Sequence, residues 1–246
     1  MGIAHIAQVG DYAERNSFVG RRKELGDMRR VLSTSRLLTL VGPGGVGKTR
    51  LALRAASDLR RAFPGGTYLV DLTAVQSAEL VVQQVATALH VRNRSEDALT
   101  DQLVQVIADR HLLLVLDNCE HLRDPVASVI QQLLGECPYL CVIGTSRLPL
   151  DMDGESLLVV PPLGVEARLA GPGNDVSTCE ALQLLQERAQ AVAPGLRLTD
   201  EVNEQLLEIC RKLDGLPLAI ELAAVRLRTL SPAEILVRLD DRFTLL

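Results

Sequence analysis

A chain of 246 residues has room for one medium α/β domain and a smaller companion. With 47% hydrophobic and 23% charged residues it is neither a disordered nor a collagen-like polymer, and its net charge of −5 argues against a broad nucleic-acid footprint. Only 2% of the residues are aromatic and none is Trp, so the core must come from Leu, Val, Ala and Ile, which suits helices packed on a parallel sheet.

Residues 1–16 carry no pattern and read as an N-terminal arm. Leu25, Met28, Val31 and Leu32 then have the spacing of an amphipathic helix. Leu37 to Val41 is an apolar run of strand length. It feeds into Gly42-Pro43-Gly44-Gly45-Val46-Gly47-Lys48-Thr49, a GxxxxGK[ST] motif, and Arg50 to Ala56 reads as the helix that follows. Each residue type fits phosphate binding. The glycines let successive backbone N–H groups face phosphate oxygens, and the helix adds the positive end of its dipole. Lys48 supplies a mobile charge for β- and γ-phosphates, and the Thr49 hydroxyl is the expected Mg2+ ligand. The basic clusters Arg21-Arg22-Lys23, Arg29-Arg30 and Arg60-Arg61 lie on helices or their ends and read as solvated faces rather than DNA contacts.

Thr67 to Leu72 predicts a second strand, and helices over 78–89 and 98–108 flank a polar break at 92–97. Leu112 to Leu116 is a continuous apolar run ending in Asp117. That is the pattern of a strand buried on both faces with a carboxylate at its carboxyl end, a Walker B candidate placed to hold Mg2+. A helix over 126–134 precedes a fourth strand from Leu140, which ends in Thr145-Ser146-Arg147. An arginine emerging there can approach a γ-phosphate; a plain surface arginine is the alternative. Leu157 to Leu163 predicts a fifth strand, and residues 165–176, with Gly171-Pro172-Gly173, have linker composition.

From residue 177 the pattern is all helical. Helices are expected over 181–191, 200–214 and 218–229, Gly215 is a helix stop, and Ser231-Pro232-Ala233-Glu234 is a capping box with Pro at the first helical position. The ending at Leu246 without tail composition suggests a piece of a longer protein. Five cysteines (Cys119, Cys137, Cys141, Cys179, Cys210), odd in number and without a CxxC, indicate neither zinc nor disulfides but a reducing, cytoplasmic setting. No apolar run approaches membrane-spanning length, and no membrane partner is expected.

Taken together, Phe18-Val19-Gly20-Arg21, the P-loop, Leu113 to Asp117, Thr145-Ser146-Arg147 and Gly215-Leu216-Pro217-Leu218-Ala219 make the chain resemble the nucleotide-binding and helical domains of the STAND/NB-ARC ATPases. The likeness is greatest to the bacterial LuxR-type and SARP-type transcriptional regulators. It covers about residues 16 to 246. It implies an AAA-like α/β fold with five parallel strands in order 5-1-4-3-2, a P-loop domain over 17–164 and a helical domain over 177–246. It further implies that Phe18, Val19, Gly20 and Arg21 meet the adenosine of ADP or ATP, that the P-loop through Arg50 holds its phosphates, and that Pro217 and Leu218 close over the base. Thr49 and Asp117 would hold Mg2+, while Lys48, Asp117 and Arg147 would act on the γ-phosphate.

Such proteins are switches, closed with ADP and open with ATP, which self-associate on activation. DNA contact would belong to domains outside this chain. Asn118 stands where a second acid often polarises the attacking water, and the next carboxylate is Glu120, so hydrolysis is expected to be slow or absent. Two other readings stay open on the residues alone: an AAA-type loader or remodelling ATPase, and a nucleotide-binding scaffold that never hydrolyses.

Overall fold

The computed structural model describes residues 17–91, 99–166 and 179–244. The arm at 1–16, the polar break at 92–97 and most of the 165–176 linker lie outside the described residues. The chain divides into two compact units, one formed by Arg22–Pro43 and Lys48–Val160, the other by Ser17–Arg21, Gly44–Gly47 and the chain from Pro161 onward.

The first unit is built on a five-stranded parallel sheet in the order β2-β3-β4-β1-β5, the order that the resemblance implies. Its strands are β1 (Leu37–Val41), β2 (Gly66–Asp71), β3 (Leu112–Asp117), β4 (Leu140–Ser146) and β5 (Ser156–Val159). The helices α1 (Arg22–Leu32), α2 (Lys48–Leu59), α3 (Ala78–Ala88), α4 (Leu99–Ile107) and α5 (Arg123–Glu136) accompany them. Leu112 to Leu116 are all buried, as a strand covered on both faces requires, and each leucine so buried contributes about 2 kcal/mol. Leu112, Leu114 and Leu116 share one apolar cluster with Val81 and Val85 of α3, Leu103 and Ile107 of α4, and Ile130 and Leu133 of α5. Arg29 and Arg30 are exposed and pair with Asp58 and Asp27, as expected of a solvated helix face.

The fifth strand is shorter than its apolar run. The sequence predicts 157–163, but β5 stops at Val159 and one further bond, Val160 N to Val41 O at 2.8 Å, closes the ladder. Pro161 and Pro162 have no N–H to donate, so pairing ends there.

The second unit contains α6 (Glu180–Val192), α7 (Asp200–Lys212), α8 (Pro217–Arg226) and α9 (Pro232–Thr244), around a core including Leu182, Leu185, Leu206, Ile209 and Ile220. Gly215 stops α7 with φ +64°, and its N–H reaches back to Cys210 O at 3.0 Å. Ser231 and Glu234 form the expected capping box: Ser231 N donates to Glu234 Oε2 at 2.7 Å and Glu234 N to Ser231 Oγ at 3.3 Å. Among the described residues no helix is long and apolar enough to cross a membrane.

Candidate functional site

The glycine-rich loop leaves β1 at its carboxyl end and returns as the first turn of α2. Gly45 (φ +77°) and Gly47 (φ +95°) occupy the left-handed region, which a side chain resists, so the motif spacing has a backbone cause. Lys48 opens α2 with its Nζ donating to Gly42 O at 2.8 Å and Pro43 O at 3.0 Å. Burial holds its pKa below the ordinary lysine value; Glu120 and, more weakly, Asp117 push it up, and Arg147 pushes it down.

Asp117 is gripped from two elements. The Thr49 hydroxyl of α2 donates to Asp117 Oδ1 at 2.7 Å, and the Thr145 hydroxyl of β4 donates to the same oxygen at 2.5 Å. Thr145 Oγ1 in turn accepts Asn118 N–H at 3.0 Å. Asn118 has φ +67°, a conformation that asparagine tolerates better than most residues, and it turns the chain from β3 into a 3₁₀ turn at Cys119–His121 that the sequence pattern did not reveal. That turn carries Glu120, whose Oε1 accepts Arg147 Nε at 3.0 Å. Cys119 beside it is fully buried, and burial pushes its thiol pKa up to about 12.

In the second unit, Gly20 (φ +68°) and Arg21 (φ +62°) are consecutive left-handed residues. Arg21 is buried, its N–H bonded to Glu180 Oε1 at 3.0 Å and its Nη2 to Val46 O at 3.1 Å. Val19 is buried in the helical core and Phe18 is half-buried. Pro217 takes the first position of α8, where no N–H is needed, and Leu218 N donates to Gly45 O at 3.1 Å. The Leu218 side chain is itself exposed, while Arg50 is half-buried in the first turn of α2.

Residues 29–147 match the model of the AAA domain family. The first unit thus has the fold of AAA-type P-loop proteins. An uncharacterised protein of Mycobacterium tuberculosis is 43% identical to it over 229 residues, 93% of this chain and 55% of that protein. A second protein of that species, provisionally described as an HTH-type transcriptional regulator, is 42% identical over 221 residues, 89% of this chain and 23% of its own length. The chain thus spans about half the length of the first relative and under a quarter of the second. A Signal Transduction ATPase with Numerous Domains from Pyrococcus horikoshii, with a tetratricopeptide repeat sensor, shares the fold at a TM-score of 0.55 and 19% identity, over 87% of this chain and 30% of its own. The family likeness drawn from the motifs is borne out by these relatives.

The AAA module has the donors for a magnesium nucleotide. Thr49 and Asp117 offer a hydroxyl and a carboxylate, the hard oxygen ligands that Mg2+ takes while keeping most of its waters. At Gly45 a Cβ would lie 3.0 Å from Leu218 Cβ, so only glycine leaves the loop its space. Two residues escaped the sequence reading of the site. Thr145 was seen as part of a polar trio, but not as the residue that orients Asp117; only the register that sets Gly144 beside Leu116 reveals it. Glu180 had no signal in the sequence, since it lies 159 residues from the Arg21 amide that it binds.

Proposed function

We propose that the AAA module is the nucleotide switch of a larger regulator, of the STAND/NB-ARC kind, holding ADP in a closed resting form and ATP in an open one. The reading rests above all on one constellation at the carboxyl ends of β1 and β3: Lys48 at the loop, with Thr49 and Asp117 joined at 2.7 Å. Lys48 neutralises phosphate charge, Thr49 and Asp117 would hold Mg2+, and the metal would screen the phosphates and polarise the terminal one. Arg147 is the γ-phosphate contact. By the family resemblance, Arg21 and Pro217 would meet the adenosine.

Slow hydrolysis follows from the same residues. Asn118 cannot take a proton from water, and the nearby Glu120 carboxylate is engaged by Arg147. A ligand moves a conformational equilibrium only by its difference in affinity for the two states, so the switch needs ADP and ATP to be told apart rather than turned over quickly. Self-association on activation, DNA contact through domains outside this chain and a cytoplasmic location belong to the same proposal.

The test is to denature the purified protein and identify the released nucleotide by chromatography, then titrate ADP and ATP into wild type and Lys48→Ala. Removing the lysine should weaken binding about 100-fold, roughly 3 kcal/mol. A wild-type protein that releases no nucleotide and binds neither would overturn the proposal.

A further inference from the structure

Arg147 leaves the carboxyl end of β4 with 67% of its side chain exposed, yet its Nε lies 3.0 Å from Glu120 Oε1. Glu120 is the more enclosed partner, with 20% of its side chain exposed. Its other oxygen, Oε2, is buried and has no hydrogen-bond partner among the described residues. A buried carboxylate oxygen without a donor is costly, so nothing in the packing at Glu120 accounts for an acid there. Its surroundings do. Its Oε1 is paired with Arg147, a cation that a polyphosphate would also claim.

Lys48 and Arg147 differ in how they are held. Lys48 is anchored to two loop carbonyls, whereas the described partner of Arg147 is Glu120 alone. The Arg147 guanidinium is the exposed partner of the pair and can be exchanged, and a guanidinium binds a phosphoryl group at least as well as it binds a carboxylate. We infer that Glu120 sets the preference of this site for triphosphate over diphosphate: its carboxylate competes with a terminal phosphate for Arg147, and ATP is read as the transfer of that guanidinium from Glu120 to phosphate. Glu120 is then a positioning residue that acts through Arg147. A diphosphate leaves the pair intact. The inference rests on the nucleotide reading above and adds the element that discriminates between the two ligands.

The experiment is a double-mutant cycle. Calorimetric affinities for ADP and for the β,γ-methylene analogue of ATP, with Mg2+, are measured in wild type, Glu120→Gln, Arg147→Ala and the double variant. Glu120→Gln keeps the shape and removes the competing anion, so the triphosphate-to-diphosphate affinity ratio should rise about tenfold. In the Arg147→Ala background the same change should raise the ratio less than about threefold, the part due to charge alone. An equal rise in both backgrounds would mean that Glu120 acts only as a charge, and a fall in the ratio would mean that it merely supports Arg147; either result overturns the inference while leaving nucleotide binding standing. Binding of neither nucleotide to wild type would remove both proposals together. Should the Gln variant fail to fold, Glu120→Asp retracts the carboxylate by one methylene at constant charge, and its ratio must rise in an Arg147-dependent way for the inference to stand.

Discussion

Two groups of candidate residues, one in each unit, are held by different means. Around Asp117 the grip is side chain on side chain: two threonine hydroxyls converge on one carboxylate oxygen, and a glutamate holds an arginine. Around Gly45 and Val46 it rests on the backbone: the Arg21 side chain and the Leu218 N–H each bond a loop carbonyl, Val46 O and Gly45 O, and four glycines of that unit (Gly20, Gly45, Gly47, Gly215) have left-handed conformations. A side-chain network can be tuned one group at a time. A backbone arrangement gives way all at once, when a residue that cannot adopt it is inserted.

The comparison can be broken at three places. The largest effect is expected at Gly215, where an added Cβ would lie 2.2 Å from the Leu163 carbonyl oxygen at φ +64°. A backbone oxygen cannot swing aside as a side chain can, so Gly215→Ala should destabilise the helical unit by about 3 kcal/mol, read from its urea unfolding midpoint. A loss no larger than that of an exposed alanine substitution would mean that this unit is not fixed by its backbone. Thr145→Val is nearly isosteric but removes the donor to Asp117 and the acceptor for Asn118 N–H. It should cost about 2 kcal/mol in the sheet unit and weaken magnesium-dependent nucleotide binding, whereas Thr145→Ser should restore both. Asn118 sharpens the contrast, because it lies in the side-chain group but has the backbone of the other. Asn118→Gly should leave stability within a few tenths of a kcal/mol, while Asn118→Ala should cost about 1 kcal/mol. Equal losses for the two would assign the asparagine a side-chain role instead.

The same contrast explains what could be read in the sequence. The strand order came only with the family resemblance that the motifs carry, whereas the unbroken apolar run from Leu112 to Leu116 by itself marked a strand covered on both faces. The loop glycines and Lys48 were legible because phosphate geometry leaves few alternatives. Thr145 was not, because a threonine at a strand end looks like any other until a neighbouring strand brings Asp117 beside it. Glu180 and the left-handed turn at Gly20 and Arg21 were hidden for a related reason: they depend on partners remote in sequence, and a single chain's periodicity carries no record of such pairs. β5 was overread because an apolar run continued through residues that cannot donate to a ladder.

The sheet order also bears on how the chain leaves the ribosome. β1 has β4 and β5 as neighbours, and β4 lies about a hundred residues downstream, so β1 has no sheet partner until most of its unit has been made. At roughly 5–20 residues per second that interval is on the order of 5–20 s, during which Leu37, Leu38 and Leu40, all buried in the finished unit, have no strand to lie against. The loop carrying Lys48 hangs from that unpaired strand. Phosphate-binding geometry, which needs β1 in place, is therefore expected among the last features of the sheet unit to form.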